Sequence, residues 1–109
     1  MNFKELKELN LKDNNISEIK VLERVKFDKL EILGLGCNKI SDINILENVN
    51  FKELKELNLN DNNISDIKVL ERIKFEKLET LDLKSNIINQ EKFSIIIKFL
   101  KSKIKKVNL

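Results

Sequence analysis

The chain has 109 residues, 36% of them charged and 41% hydrophobic, with a formal net charge of +3. Such a hydrophobic share excludes a disordered chain, and the length suits one domain, 1–109, with a small core. The longest aliphatic run, Ile95-Ile96-Ile97, is far too short to span a bilayer, so no membrane insertion is expected. Met1-Asn2-Phe3-Lys4-Glu5 lacks the apolar core of a secretory leader. A single cysteine, Cys37, excludes an internal disulfide framework and fits a reducing compartment. The reading is a cytoplasmic domain, and the sequons at Asn15 and Asn63 are taken as chance. Charge is uneven. Lys98, Lys101, Lys103, Lys105 and Lys106 lie in the last twelve residues without an acid, so 21 less 5 leaves 16 basic against 18 acidic residues over 1–97, a net of −2.

Taken in chain order, the elements repeat. The first unit, residues 3–26, opens on Phe3 and carries Leu6, Leu9 and Leu11, then Asn14 and Ile16. In Glu8-Leu9-Asn10-Leu11-Lys12 polar and apolar residues alternate, which predicts a half-buried strand with both leucines inward. Ser17 before Glu18 reads as a helix N-cap with an acid in the first turn, and Val21–Val25 is long enough for about two turns. The second unit, 27–50, repeats the pattern with Phe27, Leu30, Leu33, Leu35, Asn38, Ile40 and a Ser41-Asp42 start. It also holds both glycines of the chain, Gly34 and Gly36, and Cys37. The third unit, 51–74, returns almost to the first: residues 3–27 and 51–75 differ at three of 25 positions, Lys12/Asn60, Glu18/Asp66 and Val25/Ile73. This suggests duplication of a 48-residue two-unit block, with the second and fourth units diverging much further from each other.

The fourth unit, 75–100, keeps Phe75, Leu78, Leu81, Leu83, Asn86 and Ile88 and then departs. Phe93, Ile96, Ile97, Leu100 and Ile104 fall at helical spacing, which predicts a regular helix near 90–102 with Asn89 as N-cap. Lysines suit its C-terminal half. A half-unit, 104–109, reads Ile104, Val107 and Leu109 and predicts a last strand at 106–109.

Leu6-Lys7-Glu8-Leu9-Asn10-Leu11-Lys12-Asp13-Asn14-Asn15-Ile16 resembles the repeat of leucine-rich-repeat proteins, L-x-x-L-x-L-x-x-N-x-L, and the resemblance covers essentially the entire chain. Ile16, Ile19, Leu22 and Val25 resemble the intracellular, phosphatase-regulator type of repeat, although this unit has 24 residues where that type has about 22. The expected fold is an α/β solenoid. One unit cannot bury its leucines, but stacked units form a continuous core. Parallel strands stack ~4.8 Å apart and helices are ~10 Å wide, so the stack curves with a parallel sheet on the concave side. The resemblance further implies an asparagine ladder that satisfies backbone groups in the buried bends. The phenylalanines, 24 residues apart, would form a second ladder under the convex side.

The outward strand positions are the family's usual binding surface. They form rows: Glu8, Ile32, Glu56, Thr80 and Lys106; Asn10, Gly34, Asn58, Asp82 and Asn108; Lys12, Gly36, Asn60 and Lys84; and, beside these, Asp13, Cys37, Asp61 and Ser85. The candidate partner-binding residues are Glu8, Asn10, Ile32, Gly34, Gly36, Cys37, Glu56, Asn58, Asn60, Thr80, Asp82 and Lys84. Ile32, Gly34, Gly36 and Cys37 suggest a small, mostly apolar depression able to take an apolar partner side chain. The blander reading is divergence of one repeat, and the residues leave both open.

Chemistry beyond binding finds little support. Cys37 has no histidine anywhere in the chain to activate it. Asp13-Asn14-Asn15 and Asp61-Asn62-Asn63 fall short of an oxygen cage, because the central asparagines belong to the ladder. No zinc pair, P-loop, nucleotide-binding glycine motif or nucleophile–base set is present, so neither an enzyme nor a cofactor is expected. The basic C-terminal stretch could meet nucleic acid or anionic lipid through charge alone, but no Tyr or Trp is available for stacking on bases and a solvated helix end is preferred. The reading is a module that binds another protein on the concave sheet, as adaptor or regulatory scaffold. The alternative is a structural element, or a piece of a longer array, that self-associates through open edge strands.

Overall fold

A computed structural model describes residues 3–109. Five parallel strands form one sheet in chain order: β1 (Glu8–Asn10), β2 (Ile32–Gly34), β3 (Glu56–Asn58), β4 (Thr80–Asp82) and β5 (Lys106–Asn108). The register follows the repeat. Leu9 faces Leu33, Leu33 faces Leu57, Leu57 faces Leu81, and Leu81 faces Val107. The last strand is one residue shorter than the sequence suggests. Each strand returns to the next through a helical segment on the opposite side, which makes the molecule an α/β solenoid of the expected kind.

The core fills the space between sheet and returns. Leu33, Leu35, Ile40, Leu54, Leu57, Leu59, Ile64 and Leu81 are sealed from water. Their counterparts in the first unit, Leu6, Leu9, Leu11 and Ile16, are only partly buried. The difference is positional. Units two and three have a neighbour on each side, whereas among the described residues the first has one on a single side.

The returns differ from the expected helices. Lys20–Arg24, Asn44–Asn48 and Lys68–Glu71 are short 3-10 helices, and their N-cap positions are Ile19, Ile43 and Ile67, which offer no side-chain cap. Ser17, Ser41 and Ser65 therefore do not cap them. The acids after the serines do comparable work: Glu18 and Asp42 accept the N–H groups of Lys20 and Asn44 at 3.1 and 2.9 Å, and Asp66 accepts that of Lys68 at 3.0 Å. A carboxylate two residues ahead closes a tight turn that suits the narrower helix. The buried isoleucines pull the chain inward at the position a capping serine would need, so packing decides where the helix begins.

The one α-helix, α1, spans Ser94–Lys103, later than the 90–102 expected. Asn89 does act as a cap, but of a preceding turn: its Oδ1 accepts the Lys92 N–H at 3.0 Å and its carbonyl accepts the Phe93 N–H at 3.1 Å. Phe93, Ile97, Leu100 and Ile104 are buried, and α1 packs on the last 3-10 helix and on β5. The phenylalanine ladder is partial. Phe27 and Phe51 are buried, Phe51 stacks on Phe75 with ring centroids 6.1 Å apart, and Phe3 is 41% exposed.

The asparagine ladder is present. Asn38 Nδ2 donates to the carbonyls of Leu11, Leu35 and Gly36 at 3.0–3.1 Å, while its Oδ1 accepts the N–H groups of Asn14 and Ile16 at 2.9 Å. Asn62 repeats this with Leu35, Leu59 and Asn60 as acceptors and Ile40 as donor. Each amide stitches its own bend to the one before it, satisfying backbone groups that burial would otherwise strand.

Candidate functional site

The strand register assembles the expected rows. Glu8, Ile32, Glu56, Thr80 and Lys106 stand side by side across the sheet, as do Asn10, Gly34, Asn58, Asp82 and Asn108. Over these rows lies a depression of about 300 Å³ lined by Glu8, Asn10, Lys12, Ile32, Gly34, Gly36, Glu56, Asn58, Asn60 and Asp82. Nine of the twelve candidate residues are thus brought together. Thr80 and Lys84 belong to the flanking strand and its bend, and Cys37 stands in the row beyond the rim. Lys12, a member of the third row left out of the candidate set, also lines the depression. Its place in the row was the signal that should have included it.

The floor is not the apolar pocket that the glycines suggest. Ile32 is the single apolar side chain in the lining. Above Gly34 the space is bounded by the Asn10 amide, whose Oδ1 lies 3.0 Å from where a Cβ would stand, and Asn60 Oδ1 fills the corresponding place at Gly36. The missing side chains therefore make room for neighbouring amides, which lean across the glycines. Asn10 Oδ1 also accepts the Lys12 N–H at 3.1 Å, Asp82 Oδ1 accepts the Lys84 N–H at 3.1 Å, and Asn60 Nδ2 donates to Asp61 Oδ2 at 2.8 Å. These local bonds hold the lining side chains in fixed poses.

Charge on this face runs against the chain as a whole. The depression carries Glu8, Glu56 and Asp82 against Lys12, while the full chain is +3. The ion pairs among the described residues lie elsewhere: Lys29–Glu5 at 2.9 Å, Lys55–Glu31 at 3.7 Å, Arg72–Glu47 at 2.7 Å and Lys77–Glu53 at 2.8 Å. Each joins neighbouring units. Neither Glu8 nor Glu56 has an ion-pair partner among them.

Asp13, Cys37, Asp61 and Ser85 share a left-handed backbone, with φ of 62, 55, 54 and 58°. They turn the chain out of each strand into the asparagine bend. Cys37 is half-buried, and its thiol is raised above its ordinary value of 9.0 by desolvation, then by the negative charges of Asp13 and Asp61. A thiol held protonated is a poor nucleophile. No group of three His, Cys, Asp or Glu side chains able to hold a metal ion occurs among the described residues. No helix there is long and apolar enough to cross a membrane.

A family model described as leucine-rich repeats (2 copies) matches residues 4–48 and again 52–98, which together span most of the chain. The chain belongs to the leucine-rich-repeat family. The two matches begin 48 residues apart, in step with the duplicated block. No curated protein matches the chain. Leucine-rich repeats are generally protein-interaction modules rather than catalysts.

A second groove, of about 390 Å³, opens on the convex side between Ile73, Phe75 and α1 residues Phe99 and Lys103. Its charges are mixed, Arg72, Lys74 and Lys103 with Glu71 and Glu76.

Proposed function

We propose that this chain is a protein-recognition module, an adaptor or regulatory scaffold, whose partner seats on the concave sheet. The observation that carries this reading is the depression of about 300 Å³ that gathers polar side chains from neighbouring strands over a rigid floor. Rigid strands present side chains at fixed spacing, so little ordering entropy is lost on binding. The interface is modest in area, and affinity depends on a few well-placed contacts. The binding residues proposed are Glu8, Asn10, Ile32, Gly34, Gly36, Cys37, Glu56, Asn58, Asn60, Thr80, Asp82 and Lys84.

The test is a captured partner compared across variants. Gly34→Trp, which fills the depression, and Glu56→Lys, which cancels its net negative charge, abolish capture in this reading, while Val21→Lys on the exposed convex side leaves it intact. A partner that survives both concave substitutions overturns the reading, provided circular dichroism shows the variants folded.

We also assign the repeats to the intracellular, phosphatase-regulator type and the chain to the cytoplasm. The spacing of Ile16, Ile19, Leu22 and Val25 and the short 3-10 return at Lys20–Arg24 support this. A tagged chain found in the secreted fraction would sink it.

A second reading is assembly through the sheet edges. It is favoured by one observation: among the described residues β1 pairs only with β2 and β5 only with β4, and the leucines beneath β1 are only partly buried. Unpaired edges template further strands. Light scattering that gives a strictly monomeric mass at high concentration would reject assembly.

A further inference from the structure

We infer that the concave depression takes an arginine side chain presented by the partner protein. The inference rests on the recognition role proposed for this face and specifies its chemistry.

In the first row Ile32 stands between Glu8 and Glu56, one strand away on either side. Neighbouring strands lie about 4.8 Å apart, so the two carboxylates flank an aliphatic floor across a backbone span of roughly 10 Å. A purely apolar side chain could cover Ile32, but it would strip water from both glutamates and return nothing to them. Stranding an ionised group in that way is costly. An arginine meets both demands. Its aliphatic stem lies on Ile32 while the guanidinium stays between the carboxylates. The planar fork has five donors and can serve acceptors on opposite edges at once, which a lysine ammonium cannot do over this span.

Three further observations agree. Glu8 and Glu56 have no ion-pair partner among the described residues, whereas Glu5, Glu31, Glu47 and Glu53 are each paired to the next unit. Gly34 lets the Asn10 amide lie across the adjoining place in the second row, its Oδ1 3.0 Å from where a Cβ would stand, so a neutral acceptor borders the seat between the carboxylates. Finally, the depression is negative on a chain of net charge +3, so a basic side chain is drawn to this face and repelled by the basic C-terminal end.

The experiment uses the whole chain, isotopically labelled, titrated with N-acetyl-arginine amide and followed by backbone amide chemical shifts. The expected result is a saturable shift confined to residues 8–10, 32–34 and 56–58, with millimolar half-saturation weakened by salt. The uncharged N-acetyl-norleucine amide and the acidic N-acetyl-glutamate amide give no such pattern. Glu8→Gln with Glu56→Gln weakens arginine binding about tenfold or more. Ile32→Ser weakens it without changing its salt dependence. Both variants alter side chains on the open face of the sheet, and their unchanged spectra elsewhere report an intact fold.

Shifts scattered over the paired acids Glu5, Glu31 and Glu53 would overturn the inference. So would equal binding of norleucine, or equal binding of the lysine analogue. The two readings fail separately. If arginine binds nowhere on the sheet yet Gly34→Trp still abolishes partner capture, the anchor is wrong and the recognition face stands. If arginine binds there but capture ignores concave substitutions, the face is a cation site and the recognition reading falls.

Discussion

The side chain of Asn60 lies across Gly36, its Oδ1 occupying the place into which a Cβ at position 36 would project. The same amide donates to Asp61 Oδ2 at 2.8 Å, so the absence of a side chain in one unit allows an ordered contact in the next. Glycine here serves close approach rather than unusual backbone, since no glycine has a positive φ.

This relationship predicts coupling. Gly36→Ala in the natural background forces Asn60 aside and is destabilising by ~0.5–1 kcal/mol. In an Asn60→Ala background the nearest contact left is the residue-60 backbone carbonyl, at an ordinary 3.4 Å, and the same change stabilises because it narrows the unfolded ensemble. A double-mutant cycle read from thermal melts checks this, and the expected coupling is about 1 kcal/mol. Additive effects would mean that Asn60 leaves the glycine at no cost.

The ladder predicts unequal asparagines. Asn62 is 6% exposed and serves backbone groups in two units, including the Leu35 carbonyl and the Ile40 N–H. Asn62→Ala leaves the buried Ile40 N–H without its acceptor, takes from the Leu35 carbonyl one of its two amide donors, the other being Asn38, and costs ~1–3 kcal/mol. Asn14 is exposed, and its amide reaches only Leu11 and Lys12 of its own unit, so Asn14→Ala costs about 1 kcal/mol or less. Denaturant melts of both variants distinguish a ladder that strengthens inward from one that is uniform.

Much of this architecture was legible because the period that encodes it is the period that builds it. Leucines at fixed offsets became facing pairs such as Leu33–Leu57, and the outward rows followed directly from that register. What the residues did not reveal lay in competition between local and stacking preferences. Ser17 has the chemistry of a helix cap, but burial of Ile19 moves the helix start beyond it and leaves Glu18 to hold the turn. Gly34 and Gly36 read as an apolar hollow because composition cannot show where Asn10 and Asn60 lean. That tilt is a contact between units, and a pattern of residue types carries no record of it.

Backbone strain predicts an improvement at Cys37. Its φ of 55° is shared with Asp13 and Asp61, residue types that tolerate the left-handed region better than cysteine does. Cys37→Asn is therefore expected to stabilise by ~0.5–1 kcal/mol, raising the melting temperature by roughly 3–6 °C. The unmodified thiol, held protonated beside the two aspartates, should alkylate more slowly than free cysteine at neutral pH. Rapid alkylation together with a lowered melting temperature would contradict the account of this bend.

The inter-unit ion pairs predict a weak dependence on pH with a definite sign on each side. The hydrogen bond from Lys77, followed by its charge, holds Glu53 below its ordinary value of 4.5. A lowered carboxylate contributes stability above the unfolded value and loses it as pH falls through the folded one. Lys77 is raised above 10.5 by the same contact with Glu53, so its contribution is complete below 10.5 and is lost as pH rises through the folded value. Both side chains remain substantially solvated, which keeps the gain small and sensitive to salt. The prediction is a shallow plateau between the two limits that flattens at high ionic strength. Melting Glu53→Gln alongside the natural chain across pH checks it. The variant should lose part of the slope on the acid side and, because Lys77 then has no partner, part of it on the alkaline side as well. Retention of both slopes would exclude the Glu53–Lys77 pair as their source.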